Sequence, residues 1–172
     1  MKEIDYIFKN LDTRGFLDQL KEWSGEQAHP GHLVLENVKN SNDEISHLLD
    51  RLIYRGIFFQ KVKDFSLIYH GYSGVEDDED DYASISCFFS KTDNKYWLLF
   101  YSYGEVNYFY VDAYENKPSI QKIKDVLKKN FNLARLDYNF TLHNFEDDTM
   151  IDLDDQEKEY YKDKINLERE DK

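Results

Sequence analysis

The sequence predicts an α+β fold: a mostly antiparallel sheet of about five to six strands, three helices and an acidic C-terminal segment. Three observations predict it. Apolar residues recur at helical spacing in three separated stretches, at the start, after Ser41 and after Pro118. Residues 57–114 alternate apolar and polar side chains between turn signals, the period of half-buried strands. The last residues lose the apolar pattern and become densely charged. One α+β domain is expected over 1–145, followed by an acidic segment over 146–172 that is helical or frayed.

The elements follow in order. Phe16, Leu17, Leu20 and Trp23 share one face of a helix over Thr13–Trp23, which Ser24-Gly25 ends. His32–Asn37 reads as a short strand with Leu33 and Leu35 pointing one way. Ser41 with Glu44 three residues on forms a capping box for a second helix. Its buried stripe is Ile45, Leu48, Leu49, Leu52 and Ile53, and Gly56 supplies a left-handed C-terminal residue. In the sheet region, Phe65, Leu67 and Tyr69 alternate, as do Ala83, Ile85, Cys87 and Phe89, and Lys91–Asn94 is a turn. A two-residue turn at Gly104-Glu105 closes a hairpin that sets Tyr101 opposite Tyr108 and Leu99 opposite Tyr110. One hairpin face is then plain core. The other carries Trp97, Leu99, Tyr101, Tyr103, Tyr108 and Tyr110. A helix covers that second face, or it is presented to a partner with its Tyr residues as anchors. Pro118 opens a third helix with Ile120, Ile123, Leu127 and Phe131 inward. Ala134, Leu136, Tyr138, Phe140 and Leu142 then alternate as a half-buried strand.

The charge of -13 is unevenly distributed. Glu76, Asp77, Asp78, Glu79, Asp80 and Asp81 form a run of six acids without a base. Residues 146–159 hold eight acids, among them Asp147, Asp148, Asp152, Asp154, Asp155 and Glu157, against one base, Lys158. These two segments account for the whole net charge, leaving 21 acids balanced by 21 bases elsewhere. Such arrays present repeated negative charge to Lys/Arg clusters, and they repel nucleic acid and anionic membrane. The plainer reading is a solvated loop and a charged tail. No apolar run is long enough to span a membrane, Met1–Tyr6 does not begin a signal peptide, and the single Cys87 fits a reducing compartment, so a cytoplasmic protein is expected.

Candidate chemistry is thin. Asp152–Glu157 begins like a calcium loop but lacks its turn glycine, and Asp163 stands where a bidentate Glu is needed. His29 and His32 flank Pro30-Gly31 without a third ligand at metal spacing. His70 and His143 fall near strand ends, and His47, Arg51 and Arg55 line the wet face of the second helix. Cys87 belongs to an apolar strand face, where a thiol is inert. No phosphate-binding glycine loop, nucleophile elbow or zinc-protease helix occurs.

These observations favour a non-catalytic acidic binding protein, without cofactor or metal, that blocks a basic, nucleic-acid-handling protein such as a nuclease. In size and composition the chain resembles bacterial immunity proteins against nuclease toxins and phage-encoded inhibitors of host defence nucleases, though no family motif carries the likeness. The expected contact residues are the two acidic segments with Tyr101, Tyr108 and Tyr110. An acidic dimeric secretion chaperone and a metal-dependent hydrolase using clustered carboxylates are the rivals; both monomer and dimer are compatible with the sequence.

Overall fold

A computed structural model describes residues 2–25, 29–73, 81–104, 108–134 and 141–153. The element order is α1 (Lys2–Asn10), α2 (Thr13–Glu22), α3 (Pro30–Glu36), a 3₁₀ turn (Asp43–Ile45), α4 (Ser46–Tyr54), α5 (Ile57–Lys61), β1 (Phe65–Ser73), β2 (Asp81–Ser90), β3 (Lys95–Gly104), β4 (Tyr108–Tyr114), α6 (Ile120–Ala134), β5 (Thr141–Asn144) and β6 (Thr149–Asp152). The six strands form one antiparallel sheet in the order β4-β3-β2-β1-β5-β6. The predicted class therefore holds, with more helices than the three expected.

Helices α1–α5 pack on one sheet face around Phe16, Phe58, Phe59, Phe65, Phe88 and Tyr101. Helix α6 packs on the other with Ile123, Val126 and Leu127 against Ile85, Cys87, Leu98 and Phe100. The central strands are thus buried on both sides, which is why Ser84 and Ser86 of β2 are buried along with its apolar residues. The covered side is strongly aromatic: Phe59 stacks on Phe88 with ring centroids 4.2 Å apart.

Several local expectations change. Residues 32–36 are helical and Asn37 caps them, so 32–37 is not a strand: Pro30 opens α3, and Leu33, Val34 and Leu35 are all buried, so the alternation carried no information. Ser41 does not form a capping box. Its hydroxyl donates to the Leu35 carbonyl, while the Asn42 side chain accepts from the Glu44 N–H and starts the 3₁₀ turn. Residues 57–61 are helical, a short turn that buries Phe58 and Phe59. Gly56 does take the left-handed conformation, φ 78°. Trp23 closes α2 as an exposed residue instead of joining Phe16, Leu17 and Leu20 in the core.

In β1 the pairing slips between Leu67 and Tyr69. This bulge sends Phe65 and Leu67 to the helix-rich face but Tyr69 to the α6 face, so the three do not share a side. The β3–β4 register is also one residue off the expected one. Tyr101 lies opposite Phe109 and Leu99 opposite Val111, which excludes a two-residue turn at Gly104-Glu105. The slip exchanges faces: Tyr101 joins Phe109 and Val111 in the large core, whereas Tyr108 and Tyr110 lie with Phe100 under α6.

Helix α6 starts two residues after Pro118, where the Ser119 hydroxyl accepts from the Lys122 N–H. Ala134 ends this helix, and residues 135–140 of the expected strand lie outside the described residues. The sheet continues past residue 145 through β6, and Leu153 is buried in the α6 cluster.

Candidate functional site

The sheet has two ends. Strand β1 runs towards one of them and leaves it at Ser73; β2 returns from it beginning at Asp81. At that same end Tyr72 pairs with Thr141 and Thr141 with Asp152. The chain enters β5 and leaves β6 there. Neighbouring strands are about 4.8 Å apart, so the end of β1, which leads into the first acidic run, and the end of β6, which leads into the second from Asp152 onward, lie about 10 Å from each other. Glu146, Asp147 and Asp148 lie at the opposite end of the β5–β6 hairpin. Glu76–Asp80 and Asp154, Asp155 and Glu157 themselves lie outside the described residues, as does all of the calcium-like stretch beyond Leu153.

Asp147 and Asp148 belong to the turn between β5 and β6, and Asp152 closes β6; all three are exposed. Asp147 accepts from the Thr149 backbone N–H at 3.1 Å. Asp148 adopts φ 56° and places Oδ1 2.8 Å from His143 Nε2. The His143 ring stacks on Phe145, with centroids 4.1 Å apart. Glu146 is taken by Lys117 at 2.8 Å, which holds the Lys117 ammonium above its ordinary pKa.

The tyrosines expected as anchors separate. Tyr101 is 1% exposed and cannot meet a partner. Tyr108 and Tyr110 are half-buried on the α6 side, where burial raises both phenols. Tyr110 donates to Asp112 Oδ2 at 3.3 Å, tying it to its own strand. The exposed aromatic that the sequence did not single out is Tyr72, on β1, on the same face as His70, His143 and Met150. Its position two residues past His70 was the only signal, and alternation alone does not say which side of a strand is left bare.

His70 is buried at the border of that bare region. Its Nδ1 lies 2.8 Å from Ser86 Oγ, and its ring packs against Gly56, where a Cβ would collide with it. Burial pushes its pKa down to about 4, so it is neutral at pH 7 and a poor general base.

A second polar cluster joins α3 to α4. Asp50, buried on α4, accepts from the Gly31 N–H at 2.8 Å and stands 3.2 Å from His29 Nδ1. His47 comes close to His29, with ring centroids 5.8 Å apart. His32 turns away to Glu36, so the expected His29–His32 proximity does not create a pair of ligands. Burial raises the Asp50 carboxyl, and the Gly31 N–H and His29 work against that rise. The arrangement closes the N-terminus of α3 with a side chain from α4. Gly31 allows it, because a Cβ there would strike the Ser46 carbonyl oxygen.

Cys87 is buried in the sheet and its thiol is pushed up to about 12, which makes it unreactive, as its apolar neighbours predict. Among the described residues no group of three or more His, Cys, Asp or Glu is placed to hold a metal ion. A cleft of about 320 Å³ opens between α1, α2 and the α5–β1 connection, but lysines 9, 61 and 63 line it together with Asp5 and Asp64, so carboxylates do not converge there. Among the described residues no helix is long and apolar enough to cross a membrane. No family model, no curated protein and no solved structure matches the chain.

Proposed function

We propose that this chain is a non-catalytic, acidic binding protein that blocks a basic, nucleic-acid-handling partner. One observation carries the reading. The in-register row Tyr72, Thr141 and Asp152 joins the first acidic run, and the part of the second from Asp152 onward, to one end of the sheet, while Glu146, Asp147 and Asp148 lie in the β5–β6 turn. Charge gathered in this way steers a cationic partner and competes with phosphate for its Lys and Arg side chains.

The test is affinity capture from the native cell at low salt, with the protein and with a variant carrying Asp77→Asn, Asp78→Ser, Asp80→Asn and Asp81→Ser. A basic nucleic-acid-handling protein should be retained by the former, be released as salt rises, and be held about tenfold more weakly by the variant. Equal retention by both removes the first acidic run from the interface. An acidic partner held without salt dependence overturns the reading.

A further inference from the structure

We propose that the basic partner docks on the face of β1, β5 and β6 that points away from α6, where no described helix lies over β5 and β6, and that it does so with a Lys/Arg-rich protein segment that also brings apolar side chains. The inference rests on the function proposed above and assigns the contact surface. On the helix-rich side of the sheet, the described helices reach His70, which packs against Gly56, and the edge of Tyr72, whose ring centroid is 5.7 Å from that of Tyr54 on α4. Tyr72, Thr141, His143, Met150 and Asp152 occupy positions on that same side of β1, β5 and β6. Tyr72 is 57% exposed and Met150 62% exposed. Among the described residues the other large exposed hydrophobics, Tyr6 and Trp23, stand on α1 and at the end of α2.

The reverse side of the hairpin is sealed: Leu142 and Leu153 are buried and Ile151 packs with them in the α6 cluster. The hairpin is therefore fixed by one face while the other presents the Met150 thioether on the same side of the sheet as Tyr72 of β1, side chains favoured as interface anchors.

Charge selects the occupant. Residues 141–153 contain Glu146, Asp147, Asp148 and Asp152 and no Lys or Arg. A second copy would bring acid against acid. Nucleic acid is repelled for the same reason. A cationic protein segment gains from the carboxylates and can bury Tyr72 and Met150 with its apolar side chains.

The protein has only two methionines, Met1 and Met150, so methyl-labelled methionine gives a reporter inside the surface. The full chain is titrated with a peptide alternating Lys and Leu, and with oligolysine of equal charge. The alternating peptide should bind about tenfold more tightly and shift the Met150 methyl signal. Tyr72→Ser with Met150→Thr should cost about tenfold in affinity for that peptide, and Trp23→Ser should cost nothing. Both substituted positions are exposed, and an unchanged melting curve confirms folding. Unchanged peptide affinity in the Tyr72/Met150 variant, or a static Met150 methyl at saturation, overturns the surface. The wider reading survives that result if the four-Asp variant still weakens oligolysine binding. If the Tyr72/Met150 variant loses the alternating peptide while the four-Asp variant binds both peptides normally, the surface stands and the role of the first acidic run falls. Absence of any binding overturns both. Conversion of a dimer to a monomer by Tyr72→Ser assigns the surface to a second copy and overturns the proposed occupant.

Discussion

Two parts of one sheet face are built from the same kinds of side chain and meet opposite fates. Near the start of β1, Phe65 lies under α2 and α5 and packs with Phe58, Phe59 and Phe88. Seven residues further along the strand, Tyr72 is 57% exposed beside Thr141 and meets the helices through Tyr54, whose ring centroid is 5.7 Å away. The difference follows from chain order. All five helices of this layer precede β1 and lie over β1–β4, whereas only α6 separates β4 from β5. A single helix can cover only one side of the sheet, and α6 covers the other one. The β5–β6 hairpin is added after the helices of its outer face have been used, so no described helix lies over that face.

The largest expected effect lies in the covered part. Phe88→Ala removes a fully buried ring that stacks on Phe59 and touches Phe65, so unfolding in urea should show a loss of about 4 kcal/mol. A loss under about 1 kcal/mol would mean that the aromatic layer is loosely packed and that the contrast between the two parts is one of exposure only.

This division was only partly visible in the sequence. The apolar stripes of α2 and α4, and the alternation of Ala83, Ile85, Cys87 and Phe89, led to the correct elements because each covers enough residues to show its period. Helices α3 and α5 have seven and five residues, too few to separate a 3.6-residue from a 2-residue repeat. Ile4, Ile7, Phe8 and Leu11 did carry a helical spacing that would have revealed α1. A bulge at residues 67–69 and a one-residue shift between β3 and β4 redirected the tyrosines, and neither has a local signature strong enough to read. The acidic runs were legible as composition. That the first run and the residues from Asp152 onward leave the sheet at one end was not, since it depends on β1 pairing with a strand about 70 residues later.

The border between the two parts is His70, and pH tests it. Its pKa falls from about 6.5 in the unfolded chain to about 4 in the fold, so the folded state favours the neutral ring. Its contribution is fully present above pH 6.5. It is lost as pH falls from 6.5 through 4, because the unfolded chain takes up a proton that the fold excludes. That difference corresponds to roughly 3 kcal/mol. His70→Gln, measured beside the unchanged protein at pH 7.5 and pH 4.5, should remove most of that fall, since other titrating groups cancel in the comparison. Equal pH dependence in both proteins would place the end of helix cover before His70 instead of after it.

The smallest stability effect is expected in the bare part. Met150 is 62% exposed and opposite His143 on an edge strand, while the hairpin is held from its other side by Leu142 and Leu153. Met150→Ser removes little buried apolar area, so unfolding in urea should change by no more than about 0.5 kcal/mol. The value is informative because it is small. Under Phe65 and Phe88 the apolar side chains are required to hold the sheet together, and replacing one is costly. If Met150→Ser costs about 2 kcal/mol or more, this side chain is buried in solution and part of the chain covers it. If it is neutral, folding does not require an apolar group at this position, and the thioether remains free to meet another molecule.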